Sequence, residues 1–425
     1  MKNKQNKIKF INLKFVFSAI AIYSFFQMQA NAGGYSTFLH STSGLGNSYA
    51  GSSTGSHDIS DIYFNPAITS GLSKNETILS LNYINLRIDP DNNSGQNALG
   101  STNNGIEVKN AGSQKLLPAF YISSPINDKL SINFALTTPF GLQTNYKNDW
   151  TGSFRGLNSS IKTINLNPSF AYKINNDLSI GAGFVAQYYN SRLTKESFNP
   201  NPAPGTTGIA GIEGSDWGYG YNLGATYNIN KKTKFGLGYR SAIRHNIKGN
   251  AHFENIYTKF KANTTTPESL SLGLSHQYSD NLQIVADTIW TRWSRLKELK
   301  VNATITALSS ATYFNWDDSF LHSLGANYKI NNKNLIRGGL AFEKEAINNR
   351  NREVRVPPSN KYWISAGLNH KFDNDLELDF SYVHQFYQTA KIDIKSQGQN
   401  NLEGTLSGKY KTSVDVVSLA LKKQF

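Results

Sequence analysis

From Thr77 to Phe425 the chain alternates, residue by residue, between an apolar or aromatic side chain and a small or polar one. Trp217, Tyr219, Tyr221, Leu223, Ala225, Tyr227 and Ile229 fall on one face, and Gly218, Gly220, Asn222, Gly224, Thr226 and Asn228 on the other. The same alternation runs from Ile164 to Ile174, from Leu270 to Tyr278 and from Leu376 to Tyr382. Successive side chains of a strand point to opposite faces, so a period of two predicts β structure through most of the chain. One kind of short turn recurs between strands, at Ile126–Lys129, Ile174–Asp177, Ile229–Lys232, Tyr278–Asn281, Ile330–Lys333 and Phe372–Asp375. Each is built on Asn or Asp, which tolerate the left-handed backbone of tight hairpins. The spacing is an internal repeat of two strands and one longer polar loop, such as Tyr189–Asp216, Arg244–Thr266, Arg295–Asp318 and Lys344–Lys361.

Short turns at one rim and long loops at the other are the layout of a transmembrane β-barrel. Six short turns join twelve strands in pairs, and the first and last strands bring the count to fourteen. The expected fold is therefore all-β, an antiparallel barrel of fourteen strands, ending in an alternating strand with the aromatic Phe425 at its tip. A large exported β-sandwich or solenoid would also alternate. It accounts less well for 22 Tyr, 24 Phe and 6 Trp, because barrels place such rings at both membrane interfaces.

The stretch from Gly33 to Leu72 breaks the pattern. It is rich in Gly, Ser and Thr, with Ser43-Gly44-Leu45-Gly46, Tyr49-Ala50-Gly51 and Asn65-Pro66-Ala67 along it, and it has no apolar face with which to build a core. A segment of this kind needs something larger to hold it, and the barrel lumen is that enclosure. Before it, Lys2, Lys4, Lys7, Lys9 and Lys14 precede an apolar run from Phe15 to Phe26 and then Ala30-Asn31-Ala32. That order is a secretory signal peptide cut after Ala32. The apolar run falls short of the about 20 residues a spanning helix needs. The expected organisation is a signal peptide over 1–32, a hatch or plug over 33–74 and a barrel over 75–425.

Removing five lysines lowers the formal net charge from +14 to +9. An exported basic chain is steered toward anionic lipid headgroups rather than nucleic acid. The absence of Cys excludes disulfides, thiolate metal sites and a Cys nucleophile. Stability must come instead from a sheet closed on itself in lipid, where every backbone group finds a partner.

Ser43-Gly44-Leu45-Gly46, Tyr49-Ala50-Gly51, Asp58 and Asn65-Pro66-Ala67, in that order, resemble the N-terminal hatch of the FadL-type outer-membrane transporters of long-chain fatty acids and other hydrophobic compounds. Pro125 to Asp128, Phe140-Gly141-Leu142, Asn165-Leu166-Asn167 and Trp290 to Trp293 extend the resemblance over the mature chain. It implies a lumen plugged by the N-terminal segment and a kinked third strand that opens a lateral gap for apolar substrate. The third strand supplies its own reason for a kink, since Leu130–Leu136 is followed by Thr137-Thr138-Pro139-Phe140-Gly141. Proline removes a ladder donor and glycine loosens the backbone beside it. The alternative is that Pro139 ends the strand before a loop. Asn65, Pro66 and Ala67 are the expected contact between plug and third strand, with Pro139, Phe140 and Gly141 forming the gate. The resemblance also places Lys195, with Arg192 close by, and Lys300 where the family carries basic residues for a carboxylate. In that role they would face the lumen and bind by charge-assisted hydrogen bonds; otherwise they face the lipopolysaccharide surface.

Gly51-Ser52-Ser53-Thr54-Gly55 matches G-x-S-x-G by letter, but a nucleophile elbow needs a strand before it and a helix after it. The eight His are scattered without metal-ligand spacing. No enzyme activity, cofactor or metal is expected. The expected function is passive uptake of long-chain fatty acids or other hydrophobic molecules by a monomer in the bacterial outer membrane, with Tyr146–Phe154 and Tyr188–Phe198 as the landing surface. A general diffusion porin and a surface-adhesion barrel are the alternatives.

Overall fold

The computed structural model describes residues 34–97, 100, 102, 105, 107–199, 206–349, 352–357, 359–394 and 403–425. The expected signal peptide and its cut after Ala32 lie outside the described residues.

Fourteen strands close into one antiparallel barrel. They are β1 (Glu76–Gln96), β2 (Gln114–Pro125), β3 (Leu130–Thr137 and Gly141–Asn145), β4 (Asn158–Lys173), β5 (Leu178–Phe198), β6 (Thr207–Asn230) and β7 (Thr233–Arg240 and Ile243–Phe253). The circuit continues with β8 (Ile256–Thr266 and Ser269–Gln277), β9 (Leu282–Thr291 and Glu298–Ala303), β10 (Ser310–Tyr313 and Ser319–Lys329) and β11 (Asn334–Lys344). It ends with β12 (Lys361–Lys371), β13 (Leu376–Tyr387 and Ala390–Ile394) and β14 (Thr405–Gln424). β14 pairs back onto β1 from Glu76↔Gln424 upward, so the sheet has no free edge. Phe425 and Asn75 finish the seam by exchanging backbone hydrogen bonds of 3.1 Å.

The six short turns sit at one rim. Four of them work through the Asn side chain: Asn127, Asn175, Asn230 and Asn331 each accept two backbone N–H groups at 2.8 to 2.9 Å. Only the sixth uses a left-handed residue, Asp375 at φ 58°. Asn therefore serves these turns mainly as an acceptor that closes an Asx turn.

The alternation sorts the two faces as lipid requires. Tyr219, Leu324, Leu340 and Ile364 are exposed on the outside, while Gly, Ser and Asn occupy the inside. Two of the four expected long loops are in fact mostly strand and a third holds two short strand pieces, because the rule inverts above the membrane. There the inward side chains of β7 and β8 are apolar, with Ile247, Ala251, Phe253, Phe260 and Ala262 buried, and the outward ones are Arg244, Lys248, Lys259 and Lys261. Period two persists, so 189–216 and 244–266 continue as β5–β6 and β7–β8 hairpins, and 295–318 holds the outer pieces of β9 and β10. Lys344–Lys361 remains a loop between β11 and β12.

Candidate site in the plugged lumen

Residues 34–72 fill the lumen as a short helical turn (Thr42–Leu45) and three 3-10 turns (Ser52–Thr54, Ile59–Tyr63 and Pro66–Thr69). Contrary to the expectation of a segment without an apolar face, Phe38, Leu39, Leu45, Tyr49 and Phe64 pack into the core, and caps shape the turns that carry them. Ser41 accepts from Gly44 N at 2.8 Å, Asp58 from Ser60 N at 2.9 Å, and Asn65 from Ala67 N at 3.0 Å with Pro66 in the first helical position. The Ser-Gly-Leu-Gly and Asn-Pro-Ala stretches are thus capped turns. Ser43 Oγ donates to Asp58 at 2.7 Å and ties the first turn to the third.

The wall meets the plug on nearly every side. Asp287 of β9 accepts from Gly51 N at 2.5 Å, Ser53 N at 3.1 Å and the Ser53 hydroxyl, so the G-x-S-x-G serine is an anchor. Asn47 donates to the carbonyls of Ala326 and Gly338 at 3.0 and 3.2 Å, and Ser381 of β13 donates to Thr42 O at 2.7 Å. Arg240 of β7 donates to Tyr63 O at 2.7 Å and lies 4.2 Å over the Tyr63 ring. None of these wall residues was expected from the sequence, where each is one more small or polar side chain on an inward face.

Asn65-Pro66-Ala67 does not dock on the third strand. Asn65 Nδ2 donates to Ala225 O of β6 at 2.8 Å, and the turn lies against two glycines. A Cβ on Gly224 would stand 2.7 Å from Pro66 Cδ, and one on Gly181 would stand 2.6 Å from Ala67 N. The turn needs bare backbone to approach, and β5 and β6 supply it there. Its far end does reach β3, where Ser131 Oγ donates to Thr69 O at 2.8 Å.

Strand β3 is instead met by the tip of the plug. Its pairing with β2 stops at Phe120↔Leu136, while its outer piece keeps pairing with β4 from Gly141↔Lys162 to Asn145↔Asn158. Pro139 therefore interrupts the strand without ending it. On the side that β2 leaves, Thr37 N donates to Pro139 O at 2.9 Å and Gly141 N donates to Tyr35 O at 2.8 Å, with Ser36 opposite Phe140. The Tyr35 ring then touches Trp293 at 4.7 Å, Phe140 at 5.9 Å and Trp316 at 6.3 Å between centroids.

Three cavities follow one another past this aromatic partition. The outermost, about 400 Å³, is lined by Arg155, Lys195, Lys300 and Arg355 together with Glu196, Glu353 and Glu403. Below it an apolar pocket of about 60 Å³ is walled by Tyr35, Leu142, Ile161, Phe260, Leu296 and Trp316. The innermost, about 40 Å³, lies between Phe38 and His40 of the plug and Pro139, Phe140 and Tyr221 of the wall. The structure thus brings Lys195 and Lys300 to one cavity, Lys300 at its exposed rim because it alternates with the inward Leu299 and Val301. Lys195 donates to Glu403, which also accepts from Arg155 at 3.0 Å. Arg192 is not with them: it is exposed on the other face of β5, 3.9 Å from Glu213. An odd number of residues between positions 192 and 195 would have kept both on one face; the two that intervene do not. Burial, reinforced by the Glu403 carboxylate, pushes Glu353 up to about 7.

The family model for outer membrane protein transport proteins, OMPP1/FadL/TodX, matches residues 23–425. The chain belongs to that family. Family membership places it in the outer membrane of bacteria among transport proteins rather than enzymes. The long-chain fatty acid transport protein of Salmonella typhi is 27% identical over 425 residues, covering 91% of this chain and 95% of that relative. Outer membrane protein P1 of Haemophilus influenzae is 26% identical over 396 residues, covering 84% and 86%. Among solved structures, a Pseudomonas aeruginosa FadL homologue has the same fold, with a TM-score of 0.85 at 22% identity over 93% of this chain and all of that one. The Pseudomonas putida toluene transporter TodX aligns at a TM-score of 0.62 and 18% identity over 86% and 94%.

Proposed function

We propose that this FadL-family barrel takes up long-chain fatty acids or related hydrophobic molecules passively, as a monomer, and releases them sideways into the outer membrane beside β3. The observation that carries the reading is the seam above Phe120↔Leu136, where the plug tip and not β2 supplies the hydrogen-bond partners of Pro139 and Gly141. Wall and plug form one unit at this point, so displacing residues 35–37 would unseal the wall and the inner cavity together. Asn65, Pro66 and Ala67 act in this scheme as the pivot on β5 and β6 about which the tip moves.

Relatives in the family are named for fatty acids and for toluene. For this chain the outer cavity favours an acid: four cations line it against three carboxylates. Lys195 and Lys300 would hold a carboxylate there by charge-assisted hydrogen bonds while the chain probes the apolar pocket below. The inner cavities are too small for such a ligand as they stand, since drug-sized ligands occupy roughly 300 Å³ or more. A filled lumen of this kind argues against a free-diffusion porin.

The test replaces Pro139-Phe140-Gly141 with a regular alternating strand sequence and measures oleate uptake. Loss of uptake with a heat-modifiable, folded barrel is expected. Uptake that persists at the original rate would rule out release at β3.

A further inference from the structure

The wall is broken at a second seam. β6 and β7 pair from Asn222↔Arg240 down to the short turn, and again from Ser215↔Lys248 outward, but residues 216–221 and 241–247 between them have no ladder. On its other side β6 pairs with β5 without interruption, so the break belongs to one seam. Three hydrogen bonds close it, and two of them rely on side chains: Ser241 N donates to Tyr221 O at 2.9 Å, Tyr221 N donates to Ser241 Oγ at 2.9 Å, and Asn246 N donates to Asp216 Oδ2 at 2.8 Å. Inside, Gly218 and Gly220 present no side chain, and Ile243 lies over both.

The innermost cavity reaches this seam from within. From outside, a groove of about 570 Å³ reaches it between Trp217, Tyr219, Tyr239, Arg244 and Arg295. Tyr221 and Ser241 line both spaces and are all that the two linings share. The groove opens toward lipid, since Trp217, Tyr219 and Tyr221 are 46, 63 and 50% exposed on the outer aromatic girdle.

We propose that the β6–β7 seam is a second lateral portal, through which a single-chain anionic amphiphile passes between the innermost cavity and the outer-leaflet side of the wall. The acyl tail crosses between Tyr221 and Ser241, and the carboxylate is received by Arg244 at the rim of the groove, beside Arg295, which is itself paired with Glu268. This rests on the uptake reading above. It differs from release at β3 in its gate: here the closing groups all belong to the wall, so a molecule already past Tyr35 can leave without further movement of the plug.

The chain has no Cys, which makes a Gly220→Cys, Ser241→Cys pair a unique lock. The Cβ of residue 220 would stand 2.6 Å from the present Ser241 Oγ, close to the Cβ–Sγ spacing of a disulfide. The full chain is reconstituted in vesicles, and oleate transfer into the bilayer is timed for the oxidised and reduced forms of the same preparation. The pair is examined both alone and with Pro139-Phe140-Gly141 replaced. Transfer slowed at least threefold by oxidation and restored by reductant is expected, with oxidation removing what transfer remains in the replaced background. A second variant, Ser241→Ala, keeps the fold intact and should speed transfer. Oxidation without effect in either background, with Ser241→Ala also neutral, overturns the portal while leaving uptake standing. No oleate transfer by the unsubstituted barrel overturns the uptake reading and the portal with it.

Discussion

Asn65→Ala isolates what holds the plug against the wall. Asn65 makes three hydrogen bonds: Nδ2 donates to Ser53 O at 2.7 Å and to Ala225 O at 2.8 Å, and Oδ1 accepts from Ala67 N at 3.0 Å. Only the bond to Ala225 joins plug to wall; the other two shape the turn that fits over Gly181 and Gly224. A buried hydrogen bond contributes about 1 kcal/mol net, so the change weakens docking by about 1 kcal/mol if the turn keeps its shape and by about 3 kcal/mol if it does not. At 1.4 kcal/mol per tenfold, the undocked population rises by roughly 5-fold in the first case and on the order of 100-fold in the second. The assay uses Ala50→Cys as the sole thiol, because Ala50 is fully buried in the plug and the chain has no other Cys. When closing is faster than labelling, the maleimide rate reports the open population. A rise within that range, with the barrel still heat-modifiable, is expected. A rate changed less than twofold would show that the Asn-Pro-Ala turn does not hold the plug.

Two further perturbations probe the path above the plug. Glu353, at about 7, is largely neutral at pH 6 and ionised at pH 8, so it adds a negative charge to the outer cavity as pH rises. Capture of an anionic fluorescent fatty acid should therefore weaken from pH 6 to pH 8, and Glu353→Gln should flatten the profile; a steeper profile in the variant would contradict the assignment. The folded chain also keeps this proton to higher pH than the unfolded one, so stability falls between the ordinary carboxyl value of 4.5 and about 7, and the midpoint of thermal unfolding should fall with it. Trp293→Ala removes a fully buried ring that touches Tyr35 and Trp316 of the apolar pocket and Phe140 of the innermost cavity, at a cost of about 3 to 5 kcal/mol, and should weaken the partition between the two. Single-channel recording should show a leak current in that variant that the unsubstituted barrel lacks.

The barrel was legible because its two determinants are local. Alternation fixes which face meets lipid, and an Asn acceptor closes a turn wherever it falls, so the strand count followed from positions such as Asn127, Asn175 and Asn331. The outer hairpins read as loops from their polar content alone, whereas Lys248, Lys259 and Lys261 are the outward half of strands whose inward half is Ile247, Phe260 and Ala262. The docking of Asn65 on β5 and β6 is hidden in the sequence for a different reason. Gly181 and Gly224 look like any small inward residue, and only the approach of Pro66 and Ala67 in space gives them meaning. Asp287 was similarly silent, since its partners Gly51 and Ser53 are more than two hundred residues away in sequence. Parity could have set Arg192 aside beforehand, because positions 192 and 195 of one strand must face apart.

How much of the plug has to move follows from where its bonds lie. The body is tied to β6, β9, β10, β11 and β13 through Asn65, Ser53, Asn47 and Thr42, whereas the tip is held by two backbone bonds to β3, by Thr37 Oγ1 donating to Thr138 O at 2.5 Å, by Gly34 N donating to Glu345 at 2.8 Å and by the rings around Tyr35. Tyr35 lines the apolar pocket, and Ser36 and Phe38 line the innermost cavity, so withdrawing the tip alone joins the two. Two disulfide locks separate tip from body. Ser36→Cys with Phe140→Cys links residues that face each other in an antiparallel bridge, where Cα atoms lie about 4.5 Å apart. Gly46→Cys with Ser381→Cys links the body to β13, since a Cβ on Gly46 would stand 2.9 Å from Ser381 Oγ. With both exits downstream of Tyr35, the oxidised tip lock should cut oleate transfer at least tenfold and the body lock should leave it within twofold. The opposite pattern would mean that the plug leaves as a unit, and that the wall bonds to Asp287 and Asn47 must break in every transport event.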